Sequence, residues 1–195
     1  MYEICLHGRG GQGAVLAASI LAQAFVDEGS FVVAVPSFGF ERRGAPVAAF
    51  VRCDTRPLRA MTNIYHPDCV ICIDPTVARA VNIFAGMPAG GTLVQATKAV
   101  LQDLTLPAGL ARAGLCDAVG IALDVFRRPI TNTVMLAAFA RTTGMVSLQA
   151  LQHALEVCEF RDAGLEQNRL AMARGYNETA VHELASEVRH ATAVA

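Results

Sequence analysis

Residues 2–29 read YEICLHGRGGQGAVLAASILAQAFVDEG. Tyr2–His7 alternates weakly and runs straight into a glycine cluster, after which Ala14–Val26 is built of helix-forming residues that are apolar nearly all round. The stretch predicts a strand, a tight loop and a buried helix. Gly29, just after Glu28, suits the end of that helix. Phe31–Val35 (FVVAV) is then a continuous apolar run of the kind expected in a strand covered on both faces. Together these segments predict a βαβ unit.

Further along, Pro36–Pro46 (PSFGFERRGAP) reads as a loop from its Pro and Gly content, and Val47–Cys53 as a third strand. Cys69–Ile73 and Thr92–Val94 are the next strand signals. Turns are marked by Asp74-Pro75 and Ala89-Gly90-Gly91, with a short helix expected between them. From Asp117 the pattern turns helical: Ala118–Phe126, Asn132–Thr142, Ser147–Cys158 and about Ala163–Arg174. Ser147 is placed to cap its helix and Gly144 to end the preceding one. After Asn177 the mixed polar character suits a helical arm or a frayed tail. Strands alternating with helical stretches argue for an α/β fold, a Rossmann-like, open, mostly parallel sheet flanked by helices. The expected organisation is one domain over residues 1–195, with a βα sheet portion (1–116) and a mainly helical portion (117–195).

A chain of 195 residues is long enough for one sizeable core. Hydrophobic residues make up 53% and charged residues 17%, which rules out a disordered chain. With 16 basic and 17 acidic residues the net charge is −1, so a dedicated nucleic-acid binder is not expected. No window reaches the ~18 consecutive apolar residues of a membrane span. Gly13–Val26 stops at Asp27, and Ala80–Thr97 is broken by Gly86, Pro88, Gly90 and Gly91. The N-terminus lacks a basic segment followed by an apolar one, which makes the cytoplasm the default compartment. In such a chain, apolar excess points to surface hidden against other subunits.

The six cysteines read as buried thiols. Cys69 and Cys72 spell C-x-x-C, but in a strand side chains three apart point to opposite faces, so no metal or cluster site is expected in this chain. The five histidines show no metal-ligand spacing, and no G-x-S-x-G elbow is present. His7 adjoins the glycine loop; a structural role is its default reading.

Gly8-Arg9-Gly10-Gly11-Gln12-Gly13 satisfies G-x-G-x-x-G between a strand and a helix, where glycines let an anionic group approach the backbone and the free helix amides point at it. A phosphate-bearing ligand fits this pattern, and so do glycines that merely permit close helix–strand packing. The acid that would bind a ribose at the end of the second strand is missing, since that position falls at Val35-Pro36-Ser37; this argues against NAD or FAD. Arg42-Arg43-Gly44 follows the second strand at the edge where open sheets bind ligands, and paired guanidinium forks suit phosphate. The alternatives there are an exposed loop with Glu41 pairing an arginine, or a subunit contact. Arg127-Arg128 precede Thr131 and Asn132, either of which is expected to cap the following helix; Asn132 is also a candidate ligand residue.

Four segments carry a family resemblance: HGRGGQGAVLAASILAQAF (His7–Phe25), PSFGFERRGAPVAAFVR (Pro36–Arg52), DCVICIDPT (Asp68–Thr76) and NTVMLAAFARTTGMVSLQAL (Asn132–Leu151). FRDAGLEQNRLAMARGY (Phe160–Tyr176) resembles the closing helix of the same family. The chain resembles the gamma subunit of 2-oxoacid:ferredoxin (acceptor) oxidoreductases, phenylglyoxylate dehydrogenase among them. The resemblance implies a complex that decarboxylates a 2-oxoacid on thiamine diphosphate, passes electrons through iron–sulfur clusters and transfers the acyl group to coenzyme A. Thiamine diphosphate, Mg2+ and [4Fe-4S] clusters are then expected in alpha, beta and ferredoxin-like delta subunits. The absence here of a G-D-G thiamine motif and a ferredoxin-type cysteine run agrees.

Phe40 stands where many relatives have Pro or Val, and Ala45 where many have Gly. The family pattern assigns Arg42, Arg43 and Asn132 to coenzyme A and leaves open whether Gly8–Gly13 touch it. The rival readings are a purely structural adaptor and a nicotinamide- or flavin-dependent oxidoreductase.

Overall fold

A computed structural model describes residues 1–36, 44–158 and 164–184 of the chain. Its seven strands are β1 (Tyr2–Arg9), β2 (Phe31–Pro36), β3 (Pro46–Asp54), β4 (Cys69–Cys72), β5 (Thr92–Ala96), β6 (Arg112–Cys116) and β7 (Ala180–Glu183). They form one sheet in the order β2-β3-β1-β4-β5-β6-β7. Strands β1, β4, β5 and β6 are mutually parallel, while β3 and β7 run against their neighbours. The helices are α1 (Ala14–Asp27), α2 (Ala118–Phe126), α3 (Asn132–Thr143), α4 (Leu148–Val157) and α5 (Leu165–Glu178).

The first crossover differs from a plain βαβ unit. Strand β3 inserts between β1 and β2 and pairs antiparallel with both, in register from Tyr2 with Cys53 to Arg9 with Pro46 on one side. This makes β2 an edge strand: Phe31 is 47% exposed and Ala34 faces solvent, so the FVVAV run is not covered on both faces. The mainly helical portion also ends in a strand. Residues 180–183 pair antiparallel with β6 instead of extending as a helical arm.

The five described helices pack on one face of the sheet around a single large core. Helix α1, apolar nearly all round, buries Ala17, Ile20, Leu21 and Phe25, and Phe25 meets Phe139 of α3 edge-on with ring centroids 6.3 Å apart. Helix α3 is buried over almost its whole length. The opposite face is smaller and is covered by loops and 3-10 turns through Ile64, Val77, Ile83, Phe84 and Leu110. Cys69 belongs to the first core and Cys72 to the second, on opposite faces as the strand period requires.

Helix ends follow their local chemistry. Asp117 accepts the amide of Gly120 at 2.9 Å and Ser147 that of Ala150 at 3.0 Å, while Gly144 closes α3 in the left-handed region. The short helix expected after Asp74-Pro75 is a 3-10 turn, Pro75–Arg79, capped by Asp74.

Candidate ligand edge

The glycine loop lies at the carboxyl end of β1, beside the end of β4, where the Ile73 amide donates to the His7 carbonyl at 2.8 Å. Gly13 enters α1 in the left-handed region (φ 76°) without a side-chain cap, and the first turn of α1 carries no acid. Helix α3 starts next to it. A Cβ built on Gly13 would come within 2.5 Å of Asn132 Nδ2. Asn132 is 3% exposed, and its Oδ1 accepts the Thr133 amide at 2.9 Å. Its Nδ2 makes no protein hydrogen bond among the described residues, and α3 likewise has no acid in its first turn. Two helix N-termini and one primary amide therefore present donors to the same edge, an arrangement that favours an anion.

The second motif joins the first through backbone bonds. Gly10 N–H donates to the Ala45 carbonyl at 2.9 Å, and Gly44 N–H donates to the Gly10 carbonyl at 3.1 Å. Gly44 (φ 86°) thus returns the chain against the glycine loop immediately after the twin arginines. Arg42 and Arg43 themselves lie outside the described residues.

Gln12, expected among the phosphate-binding residues, uses its amide inside the loop. Its Oε1 accepts the Arg9 amide at 2.6 Å and its Nε2 donates to Asp74 Oδ2 at 2.7 Å. The basic pair Arg127-Arg128 is exposed in the α2–α3 turn, and Arg127 closes α2 with φ 57°. Thr131 occupies the N-cap position of α3 but makes no side-chain cap bond; its hydroxyl lies 3.5 Å from the Ile73 carbonyl.

Three residues of the site escaped sequence reading: Arg9, Asp74 and Thr76. Arg9 Nε donates to Thr76 Oγ1 at 2.8 Å, Nη2 to the Thr76 carbonyl at 3.1 Å and Nη1 to the Gly44 carbonyl at 2.8 Å. Asp74 Oδ1 accepts the Thr76 amide at 2.8 Å, and Arg9 Nε stands 3.7 Å from its Oδ2. Burial pushes the Asp74 carboxyl up, but hydrogen bonds from Thr76 and Gln12 and the Arg9 charge outweigh it and hold the carboxyl below its usual range. The only available signal was an Asp before a Pro, the mark of a capped turn. Burial holds the His7 imidazole down at about 4, so it is neutral at pH 7; its Nε2 lies 3.1 Å from Cys5 Sγ.

A family model described as pyruvate ferredoxin/flavodoxin oxidoreductase matches residues 3–178. The chain belongs to this family. It is 61% identical, over 94% of its length and 97% of the relative's, to the gamma subunit of NADH-dependent phenylglyoxylate dehydrogenase from Aromatoleum evansii. It is 46% identical, over 94% of its length and all of the relative's, to the common gamma subunit of the pyruvate/ketoisovalerate oxidoreductases of Thermococcus kodakarensis. The crystal structure of pyruvate oxidoreductase subunit PORC from Thermotoga maritima superposes with a TM-score of 0.80 at 36% identity, covering 93% of this chain and 98% of that one.

In this oxidoreductase-family chain, no three His, Cys, Asp or Glu side chains among the described residues converge to hold a metal ion. Five cysteines are buried, with Cys69 and Cys72 turned apart, so the described thiols do not fit a cluster. No described helix is long and apolar enough to cross a membrane.

Proposed function

We propose that this chain is the gamma subunit of a cytoplasmic, coenzyme A-acylating 2-oxoacid:acceptor oxidoreductase and that it supplies part of the coenzyme A site. The overall reaction converts a 2-oxoacid, coenzyme A and oxidised acceptor into acyl-coenzyme A, CO2 and reduced acceptor, the two electrons leaving to the acceptor. Alpha, beta and ferredoxin-like delta subunits hold the thiamine diphosphate, Mg2+ and [4Fe-4S] groups that perform decarboxylation and electron transfer. This chain's own task is to bind and orient. Arg42 and Arg43 pair with the phosphates of the carrier, and guanidinium forks match those oxygens two at a time. Asn132 Nδ2 and the first turns of α1 and α3, whose N-cap residues make no side-chain cap bond, add neutral donors.

The observation that carries this reading is the backbone pairing of Gly10 with Gly44 and Ala45, which brings the glycine loop and the end of the twin-arginine loop to one place. The 61% identity to a phenylglyoxylate dehydrogenase subunit makes an aryl 2-oxoacid the first substrate to test, with pyruvate beside it. The test uses the purified complex. Arg43→Ala raises the KM for coenzyme A about tenfold or more, the loss of a charged hydrogen-bond pair, and leaves the KM for the oxoacid unchanged. Small and equal effects on both substrates would leave the structural adaptor as the correct reading.

A further inference from the structure

The turn between α2 and α3 carries a pair of cations that the fold itself does not use. Arg127 and Arg128 are both exposed, and neither guanidinium makes a hydrogen bond or an ion pair among the described residues. The acids of α2 are engaged elsewhere: Asp117, its N-cap, pairs with Lys98, and Asp124 pairs with Arg174. Helix α3 has no acid in its first turn. The charge of the pair is therefore uncompensated. Arg127 also ends α2 with φ 57°, the one positive value at a non-glycine position among the described residues, where a glycine would close the helix without strain. The backbone of the turn thus gives no reason for an arginine there.

This turn leads straight into the donor edge. Thr131, whose hydroxyl lies 3.5 Å from the Ile73 carbonyl just past β4, is three residues beyond Arg128, so their Cα atoms are at most about 11 Å apart. Asn132 follows, 3% exposed, with its Nδ2 turned toward Gly13 at the entry to α1 and no acceptor for it among the described residues. A buried amide with an unused N–H is costly until an outside group accepts from it. The edge is graded: neutral donors from Asn132 and the first turns of α1 and α3 lie inside, and free guanidinium charge lies outside.

Coenzyme A carries two kinds of phosphate that match these two environments. Its diphosphate is flanked on both sides by organic groups, and neutral amides at helix N-termini suit it. Its 3′-phosphate is a terminal monoester of charge about −1.5 to −2 at pH 7, which two guanidinium forks at the surface can neutralise. We infer that Arg127 and Arg128 receive the 3′-phosphate and so set the preference for coenzyme A over 3′-dephospho-coenzyme A. The inference rests on the assignment of this edge to coenzyme A and goes beyond it by naming two residues and the phosphate they read.

The test is steady-state kinetics of the purified complex with coenzyme A and with 3′-dephospho-coenzyme A as alternative acyl acceptors. The unaltered complex has a KM for coenzyme A about tenfold below that for the dephospho form, the worth of a charged hydrogen-bond pair. Arg127→Gln/Arg128→Gln raises the coenzyme A KM about tenfold, to the dephospho level, and moves the dephospho KM by less than about twofold. The melting temperature of the complex stays in place, because both side chains are exposed and unpartnered. Asn132→Ala raises both KM values by the same factor. Equal changes for the two carriers in the arginine variant would overturn the inference, as would no change for either, or an unaltered complex indifferent to the 3′-phosphate. If Asn132→Ala and the arginine variant are both unchanged toward both carriers, coenzyme A does not bind at this edge at all; a strong Asn132 effect beside a silent arginine pair removes only the 3′-phosphate assignment.

Discussion

Asn132 Nδ2 occupies the space that a side chain at position 13 would need, 2.5 Å from a Cβ built on Gly13. The two N-termini of α1 and α3 pack this closely only because position 13 has no side chain, and its φ of 76° imposes the same requirement independently. Gly13→Ala therefore carries both a left-handed backbone penalty and a clash, together about 2–3 kcal/mol. The purified subunit should melt roughly 5–10 °C lower. Asn132→Ala removes the clashing amide, so Gly13→Ala should be milder in the Asn132→Ala background than in the wild type. Strictly additive losses in calorimetry would show that the two residues do not press on each other.

This contact also marks where sequence reading stopped. The order strand, glycine loop, helix was legible because the glycines and the apolar helix are consecutive, and α2, α3 and α4 were bounded well because Asp117, Gly144 and Ser147 act within one turn of their helix ends. Pairing across the sheet was not. Nothing local tells β3 to insert between β1 and β2, so FVVAV read as an interior strand although it is an edge. Strand β6 was hidden by Gly114 in its middle; a Cβ there would collide with Thr142 of α3, so the glycine serves helix–sheet contact where it reads as a strand breaker. Strand β7 is four residues long and mostly exposed, and only its partner β6 defines it. In the site, Gly8–Gly13 and Asn132 were visible as motif residues, whereas Arg9 and Thr76 are joined by a bond across 67 positions that no short motif encodes.

Arg52 is 4% exposed in β3 and faces its register partner Glu3 across β1, with Nε 2.6 Å from Glu3 Oε1. Its remaining donors reach the carbonyls of Thr62 at 2.5 Å, Asn63 at 3.0 Å and, more weakly, Ala60 at 3.4 Å. Arg52→Met would strand the Glu3 carboxylate and release that loop, a loss of about 3–5 kcal/mol. Two readouts should move together: a melting temperature lower by roughly 10 °C, and faster trypsin cleavage after Arg56 or Arg59. Unchanged proteolysis would show that the loop is held by something other than Arg52.

Cys5, Cys53, Cys69, Cys72 and Cys116 are buried, whereas Cys158 is partly exposed at the end of α4. Burial pushes the Cys5 and Cys72 thiols up to about 12 and is the main cause that raises Cys53 and Cys116 to about 11, so almost no thiolate forms at neutral pH. A disulfide reagent at pH 8 should titrate one thiol of the folded subunit rapidly and the other five only after denaturant is added. Cys158→Ser should abolish the fast phase. Two or more fast thiols would mean that one face of the sheet opens in solution.

His153 Nδ1 lies 2.9 Å from Asp27 Oδ2 and ties α4 to the last turn of α1, where a carboxylate alone would oppose the helix dipole. The hydrogen bond from His153, helped by one from Gln23, lowers the Asp27 carboxyl, and the bond to Asp27 together with its charge raises the His153 imidazole. A raised imidazole stabilises the fold fully below its unfolded value near 6.5 and ceases to do so as pH climbs through the raised value. The lowered carboxyl acts in the opposite direction: its contribution is present above about 4 and vanishes as pH falls through the lowered value. The pair is therefore strongest between about pH 4 and 6.5. Both groups are at the surface, so the effect is small and shrinks with added salt. Between pH 6 and 8 the melting temperature of the wild-type subunit should fall more steeply than that of His153→Gln, and the difference should narrow at high ionic strength. Parallel pH profiles for the two proteins would show that the His153–Asp27 pair adds nothing to the shared apolar core and to the Ser147 amide donating to Glu28 Oε1 at 2.9 Å, which also join these helix ends.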